Sequence, residues 1–133
     1  MSQRKSRPGT AVDWLTRARG DLAIATAPLP AGAFLEDLCF HAQQAAEKAL
    51  KAVSIHNGIA FRYTHDLDEL IIDLKKTGIE IPPDIEVATV LTVFAWEARY
   101  PGTGEPVTGD EYTEAVIMAQ SVVEWAEAIL KTG

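Results

Sequence analysis

Three histidines, His41, His56 and His65, are the first side chains to consider for acid–base chemistry, because histidine titrates near neutral pH. No two of them have the four-residue spacing of a helical metal site, and the sequence predicts no metal and no cofactor. We expect His56 at a helix C-terminus, where the helix dipole favours a cation. We expect His65 to hydrogen-bond backbone at a turn, and His41 to be solvated or at an interface.

A second polar group, Gln43 to Lys51, lies among small residues and includes Gln44, Glu47 and Lys48. One interpretation is a solvated helix face. The other is that the neighbouring alanines pack closely around these groups, in which case a buried Glu47 needs a partner such as Lys51 or Arg99. The residues alone leave both interpretations open.

The tetrapeptide Arg99-Tyr100-Pro101-Gly102 offers two further functions. Arginine in a last helical turn can satisfy backbone carbonyls there. It can equally bind a phosphate through two hydrogen bonds, while Tyr100 stacks on a base. The chain has no glycine-rich phosphate loop and no serine or cysteine nucleophile elbow, so any phosphate contact has to come from side chains of this kind.

The element that must position the polar group is a long helix, predicted to begin near Ala33 and to end at His56-Asn57-Gly58. Seven apolar residues recur along it at steps of three and four, and therefore share one face: Leu35, Leu38, Ala42, Ala45, Ala46, Ala49 and Val53. Because four of them are alanines, a neighbouring helix can approach closely. Asp37, His41, Gln44 and Lys48 form a polar ridge on the opposite side.

Four more segments have helical patterns. A capping sequence at Thr10–Asp13 opens the first, which Gly20 interrupts at a cost of about 1 kcal/mol relative to alanine. Asp66 to Glu69 is a candidate capping box for a short third helix that ends at Gly78. The other two run from Val87 to Ala98 and from a capping box at Thr108–Glu111 to Leu130. The β-branched residues after Val87 also suit a strand, but no partner strand exists. We therefore predict an all-α, up-and-down four-helix bundle with an additional short helix.

Composition narrows the functional classes. The chain has 133 residues, enough for one domain, and a net charge of −7, which excludes a uniformly basic nucleic-acid surface. The one cysteine, Cys39, excludes an internal disulfide frame and suits the reducing cytoplasm. No apolar run approaches the roughly 20 residues of a membrane span. Residues 1–9 are expected to form a disordered basic tail, and residues 10–133 the bundle.

Four motifs in order resemble a bacterial HEPN (higher eukaryotes and prokaryotes nucleotide-binding) domain over Trp14 to Leu130. They are Trp14-Leu-x-x-Ala18-x-x-Asp21-Leu22, Cys39-Phe-His-Ala-Gln-Gln-Ala-Ala-Glu-Lys-Ala-Leu-Lys-Ala52, His65-Asp66-Leu67-x-x-Leu70 and Arg99-Tyr100-Pro101. The resemblance implies a helical bundle that often pairs as a homodimer. It also implies a gene neighbour encoding a minimal nucleotidyltransferase, in a toxin–antitoxin-like pair.

Many proteins that this chain resembles are metal-independent ribonucleases, which use an arginine followed after four to six residues by a histidine. Here Gly104, Glu105 and Pro106 stand at the required positions after Arg99, and no histidine follows His65. The chain therefore resembles the branch with Arg-Tyr-Pro, whose implied role is nucleotide or partner binding, and an enzyme is not expected.

The resemblance and the polar residues together give three hypotheses. In the first, a non-catalytic module binds a nucleotide, RNA phosphate or the nucleotidyltransferase. Lys48 and Arg99 meet phosphate in a shared groove, Tyr100 stacks, and Glu47 orients Lys51 or Arg99, while Gln44 and Asp66 bond a base or ribose. The predicted ligand-binding residues are Gln44, Glu47, Lys48, Lys51, His65, Asp66, Arg99 and Tyr100.

The second hypothesis is an atypical ribonuclease using Arg99 with His65 or His41 at a dimer cleft. The third is a purely structural, antitoxin-like interaction protein.

Overall fold

A computed structural model describes residues 9–61, 63–95 and 106–132. Within them all regular secondary structure is helical and there is no strand, which confirms the all-α bundle. The helices are α1 (Ala11–Ala25), α2 (Leu35–His56), α3 (Leu67–Lys76), α4 (Pro83–Glu86) and α5 (Gly109–Lys131), with a 3-10 segment (Val87–Ala95) after α4. In this part of the chain, no helix combines the length and the apolar character needed to cross a membrane.

Short-range hydrogen bonds fix where the helices begin. Thr10 Oγ1 accepts from Asp13 N at 3.1 Å, and Asp13 Oδ2 accepts from Thr10 N at 3.0 Å, which completes a capping box before α1. Thr108 and Glu111 form the same reciprocal pair before α5. Asp66 precedes α3 and accepts from Asp68 N at 3.0 Å. The three predicted helix starts are therefore confirmed, but at α3 the cap is the bond from Asp68 N to Asp66 rather than the predicted capping box with Glu69.

Helix α2 is the centre of the bundle, since α1, α3, α5 and the 3-10 segment all pack against it. Its contact with α1 is the most extensive between any two elements of the described chain. Small side chains with no solvent exposure fill much of this core: Ala18 and Ala25 in α1, and Ala42, Ala45, Ala46, Ala49 and Ala52 in α2. The alanine face predicted for α2 is thus the buried one, and the site is built where α1 meets α2.

The predicted fourth helix differs from the prediction. An α-helix was expected from Val87 to Ala98, but the chain makes one α-helical turn, α4, and then continues as 3-10 helix from Val87 to Ala95. The concentration of valine and threonine in this segment explains the change, because β-branched side chains lose rotamer freedom in an α-helix. Thr92 Oγ1 accepts from Leu67 N at 3.1 Å and so ties the segment to α3. Ala98 lies outside the described residues.

One smaller prediction about a helix end also needs correction. Helix α2 begins at Leu35 rather than near Ala33, because Ala33 N donates to Pro30 O in a turn that contains Gly32 at φ +83°. Gly20 lies inside the first helix, as predicted, and α1 continues through it to Ala25. The predicted end of α2 is confirmed, with Gly58 at φ +72° just beyond His56.

Candidate functional site

A carboxylate on α1 joins two predicted site residues of α2. Asp21 Oδ1 lies 2.9 Å from His41 Nδ1, and Asp21 Oδ2 lies 2.6 Å from Lys48 Nζ. The Asp21 side chain is only 10 % exposed. His41, which we expected to be solvated or at an interface, is thus held by an ion-pairing partner from the neighbouring helix. We call Asp21, His41 and Lys48 the Asp21 cluster.

A second carboxylate, Glu47, organises the adjoining part of α2. Its Oε1 atom lies 2.9 Å from His65 Nδ1 and accepts from Gln43 Nε2 at 3.0 Å, while its Oε2 atom accepts from Lys51 Nζ at 2.8 Å. The Glu47 side chain is 3 % exposed. Of the two open interpretations, the structure therefore supports close packing with Lys51 as the partner. We call Glu47, Gln43, Lys51 and His65 the Glu47 cluster.

The side chain of His65 does not cap a turn as predicted. It bonds Glu47, and only its backbone carbonyl takes part in the local network, accepting from Gln43 Nε2 at 3.1 Å. The prediction of a backbone-bonded imidazole was wrong because the loop before α3 runs close to α2, which brings a buried carboxylate within reach.

Three donors keep Glu47 ionised. Burial on its own raises the pKa of this carboxyl, but hydrogen bonds from Lys51, His65 and Gln43, together with the charge of Lys51, outweigh burial and hold the pKa below 4.5. Glu47 is consequently a carboxylate at neutral pH. Because a carboxylate only accepts hydrogen bonds, the proton of His65 lies on Nδ1 and its Nε2 is left as an acceptor in the neutral ring.

Lys51 is placed for support rather than for ligand contact. Its side chain is 8 % exposed, and Nζ lies 5.5 Å from the centre of the Trp14 ring and 5.1 Å from that of Phe61. The two rings meet edge to face with centroids 5.3 Å apart. The ammonium is thus held between Glu47 and two aromatic faces, a combination that stabilises a buried cation.

Both carboxylates of the two clusters are buried, whereas the histidines and Lys48 are partly exposed and only Lys51 is a buried cation among these residues. His65, His41 and Lys48 have side chains that are 60 %, 31 % and 26 % exposed, and half-buried Gln44 lies between them, donating to Gln43 Oε1 at 2.7 Å. The carboxylates of Asp21 and Glu47 lie beneath. We call His41, Gln44, Lys48 and His65 the donor layer. Of its members, Lys48 has N–H groups left for a ligand, each imidazole has one when its Nε2 carries a proton, and both amide hydrogens of Gln44 are used by Gln43 and Glu47.

This arrangement has two chemical capacities. The donor layer can hold an anion, since an ammonium and two imidazoles are its accessible charged or chargeable groups. Each histidine can also accept a proton at Nε2, because its Nδ1 faces a carboxylate that fixes the ring and its tautomer. Among the described residues, no group of three or more histidine, cysteine or acidic side chains is placed to hold a metal ion.

Five of the predicted ligand-binding residues come together here: Gln44, Glu47, Lys48, Lys51 and His65. Asp66 is adjacent in sequence, but one of its carboxylate oxygens caps α3. Arg99 and Tyr100 lie outside the described residues, so the groove shared by Lys48 and Arg99 stays a prediction. His56 lies in the last turn of α2, as expected.

Sequence reasoning assigned no role to Asp21, Gln43, Trp14 or Phe61. Asp21 could have been identified from its position seven residues after Trp14, because this spacing places both residues on the buried side of α1. Nothing in the sequence revealed Phe61, because its contact with Lys51 depends on the path of a loop.

Comparisons with known proteins agree with this architecture. The family model described as HEPN domain matches residues 11–129. The crystal structure of TT1696 from Thermus thermophilus is 34% identical, with a TM-score of 0.78, and the match covers 90% of this chain and 98% of that one. The structure of ST0689, titled an archaeal HEPN homologue, is 27% identical, with a TM-score of 0.74 and coverage of 92% and 99%. No curated protein matches significantly. The chain belongs to the HEPN domain family.

Proposed function

We propose that this chain is a HEPN module that binds the phosphate of a nucleotide or of RNA against the donor layer. The observation that supports it is that Asp21 and Glu47 are buried, whereas the side chains of His41, Lys48 and His65 that bond them are exposed in part. A phosphate would meet His41, Gln44, Lys48 and His65 before it met either carboxylate.

Lys48 is the central phosphate ligand in this proposal. An ammonium has three donors, and one of them, at 2.6 Å, is directed to Asp21. The other two remain for a ligand, while Asp21 holds the side chain in one place, which lowers the entropy lost on binding. With both imidazoles neutral, the charges of Asp21, Glu47, Lys48 and Lys51 cancel, and each proton gained by His41 or His65 adds one positive charge.

The remaining predicted roles belong to the same proposal. Arg99 supplies a second cation to the phosphate, Tyr100 stacks on a base, and Gln44 and Asp66 bond the base or ribose. Glu47 keeps Lys51 in place, with the 2.8 Å ion pair as support. Whether Arg99 reaches the donor layer can be tested by a disulfide between cysteines introduced at Gln44 and Arg99 in a Cys39→Ala background.

Calorimetric titration with pyrophosphate, ATP, GTP and a short RNA tests phosphate binding. We expect binding to weaken by about tenfold in Lys48→Gln, since hydrogen bonds to a charged ligand are lost. Lys75→Gln is the matched control, because Lys75 is an exposed α3 lysine that pairs with Glu86. Absence of heat at millimolar ligand with the wild-type protein would reject the proposal.

A second candidate is the metal-independent ribonuclease, and the Asp21–His41 pair is the observation that favours it. Its 2.9 Å contact orients an imidazole whose Nε2 is available as a general base, with Arg99 as the group that stabilises phosphate charge. The test is cleavage of labelled RNA in EDTA by the wild type and by His41→Gln. If the wild type leaves RNA intact at high enzyme concentration, this candidate is excluded.

The resemblance also supports a homodimer and a partner relationship with a minimal nucleotidyltransferase in the cytoplasm, in a toxin–antitoxin-like pair. Light scattering on the purified chain tests the dimer. Co-expression with the product of the adjacent gene tests the partnership, and a partner that binds without any effect of nucleotide or RNA would favour the purely structural hypothesis.

A further inference from the structure

The donor layer continues towards a groove at the far end of α2. His41, Lys48 and Ile55 follow one another at seven-residue steps, which keeps them on one side of the helix with a drift of only about 20° per step. At Ile55 this side opens on a groove of about 560 Å³ between the start of α1 and the loop after α2. Its lining includes Thr10, Ile55, Ile59, Phe61 and Tyr63.

Aromatic rings border this groove. Tyr63 is fully exposed, which is unusual for a large ring that has a groove to fill beside it. Phe61 is held in place from behind, edge to face by Trp14 and at 5.1 Å by the Lys51 ammonium. Phe61 is thus a fixed ring and Tyr63 a solvent-facing ring. Together they can form a platform on which a base stacks, and the donor layer lies further along the same side of α2.

Helix α1 supplies a cation beside the line that runs along α2 from the donor layer to the groove. Arg17 comes three residues after Trp14 and four before Asp21, so it lies on the same side of α1 as both, and it is exposed. Arg19, two residues later, points elsewhere and pairs with Glu127 of α5 at 2.6 Å. The two arginines therefore provide one candidate contact and one internal control.

We propose that the groove at Ile55 takes an unpaired base of single-stranded RNA, stacked on Tyr63, while the strand passes Arg17 and a phosphate lies in the donor layer. This inference rests on the proposed phosphate-binding function and extends it to a polymer. Fourteen residues separate His41 from Ile55, which is roughly 21 Å along the helix. Lys48 lies midway, roughly 10 Å from either end, so a mononucleotide bound there covers only part of the path, whereas a strand of several nucleotides covers all of it.

Duplex RNA does not fit the same surface, because its bases are stacked inside the helix and only its backbone would meet Tyr63. The site thus distinguishes single-stranded from double-stranded RNA by stacking and not by charge. We expect it to bind any of the four bases without preference, since every base has a ring face that can stack.

Fluorescence anisotropy with a labelled oligouridylate of about ten nucleotides tests the stacking subsite, with an abasic phosphodiester of equal length as the comparison. We expect Tyr63→Ala to weaken oligouridylate by about tenfold, Tyr63→Phe to keep wild-type affinity, and the abasic strand to bind equally to all three proteins. If both strands bind the wild type equally well and Tyr63→Ala changes neither, the stacking subsite is wrong and the phosphate site stands. If neither strand binds, and pyrophosphate fails as well, both proposals fall.

The salt dependence of oligouridylate binding tests the path over α1. Arg17→Ala should reduce the slope of log affinity against log salt by about 0.7, the value for one phosphate contact on a single strand. Arg19→Ala, with the same change in net charge on the same helix, should leave the slope unchanged. Equal effects of the two substitutions would mean that only overall charge matters, which would overturn the path.

Discussion

Glu47 shows how far the local surroundings decide what a side chain does. It is an acid in the middle of α2, almost fully withdrawn from water, and it is still charged because four donors from α2 and the following loop converge on it. Gln43 and Lys51 are four residues away on either side, so helix geometry alone brings them within reach. His65 arrives from outside the helix and makes the cluster tertiary.

The first prediction concerns this charge. Glu47→Gln leaves the Lys51 ammonium buried without a counter-charge and should lower the free energy of unfolding by about 3 kcal/mol, as breaking a buried ion pair does. Urea denaturation measures the change. Glu86→Gln is the control, since it breaks the exposed pair with Lys75 and should cost less than about 1 kcal/mol. Equal losses in the two variants would mean that the rings of Trp14 and Phe61 suffice to hold Lys51.

The second prediction concerns Cys39, the one thiol of the chain. Burial, with smaller contributions from the charges of Glu36 and Glu111, raises its pKa to about 12, so it is a neutral thiol at any physiological pH. We expect a disulfide reagent at pH 8 to modify it slowly in the native protein and rapidly in urea. A fast native reaction would mean that the first turn of α2 opens readily.

At the level of elements, the helix starts were predictable and the 3-10 segment was not. Thr10, Asp66 and Thr108 cap their helices through contacts at most three residues long, which a sequence contains in full. The apolar pattern after Val87 is satisfied by either 3.6 or 3.0 residues per turn over so short a length. The choice between the two depends on how its buried residues, Ala88, Leu91 and Ala95, pack against the neighbouring helices, because Val87, Val90 and Val93 are exposed.

The third prediction separates two glycines of similar appearance in the sequence. Gly20 lies within α1, has no positive φ, and a methyl group added there meets nothing within 4 Å. Gly20→Ala should therefore stabilise the protein by about 1 kcal/mol in thermal or urea unfolding. Gly58→Ala should instead destabilise it by about 1 kcal/mol, since Gly58 has φ +72°. A loss of stability in Gly20→Ala would indicate an unseen contact on the exposed side of α1.

At the scale of the whole molecule, the buried carboxylate of Glu47 makes the free energy of unfolding depend on pH. The folded-state pKa of Glu47 is below 4.5, so its ionised form contributes stability at pH values above the unfolded pKa. That contribution disappears as the pH falls through the lower, folded-state value.

The fourth prediction follows from this linkage. The difference in unfolding free energy between wild type and Glu47→Gln should be largest near neutral pH and should shrink as the pH is lowered below 4.5. Urea titrations at several pH values measure it. Glu86→Gln again serves as the control, with little dependence expected. A difference that stays constant with pH would show that the cost of the substitution is steric.

The site was only partly predictable. Contacts within one helix could be predicted from the sequence, whereas contacts between two helices could not. Gln44, Glu47, Lys48 and Lys51 lie within two turns of α2, so their proximity was implicit in the sequence. The contact of Lys48 with Asp21 joins residues 27 positions apart, and it depends on the register in which α1 lies on α2. Periodicity identifies the faces of both helices but leaves that register open.

The alanines between α1 and α2 affect how precisely the side chains of this site are positioned relative to one another. Alanine has no side-chain rotamers to freeze, so docking these helices costs little conformational entropy, and their axes can lie close together. The side chains at the rim, Asp21 on one helix and His41 and Lys48 on the other, consequently inherit their separation from two backbones in near contact. A larger residue in the seam, such as Leu at Ala45, would act as a wedge and widen the gap between those partners. The spacing of these three side chains can therefore be tuned from the interior of the protein, by residues that lie outside the site itself.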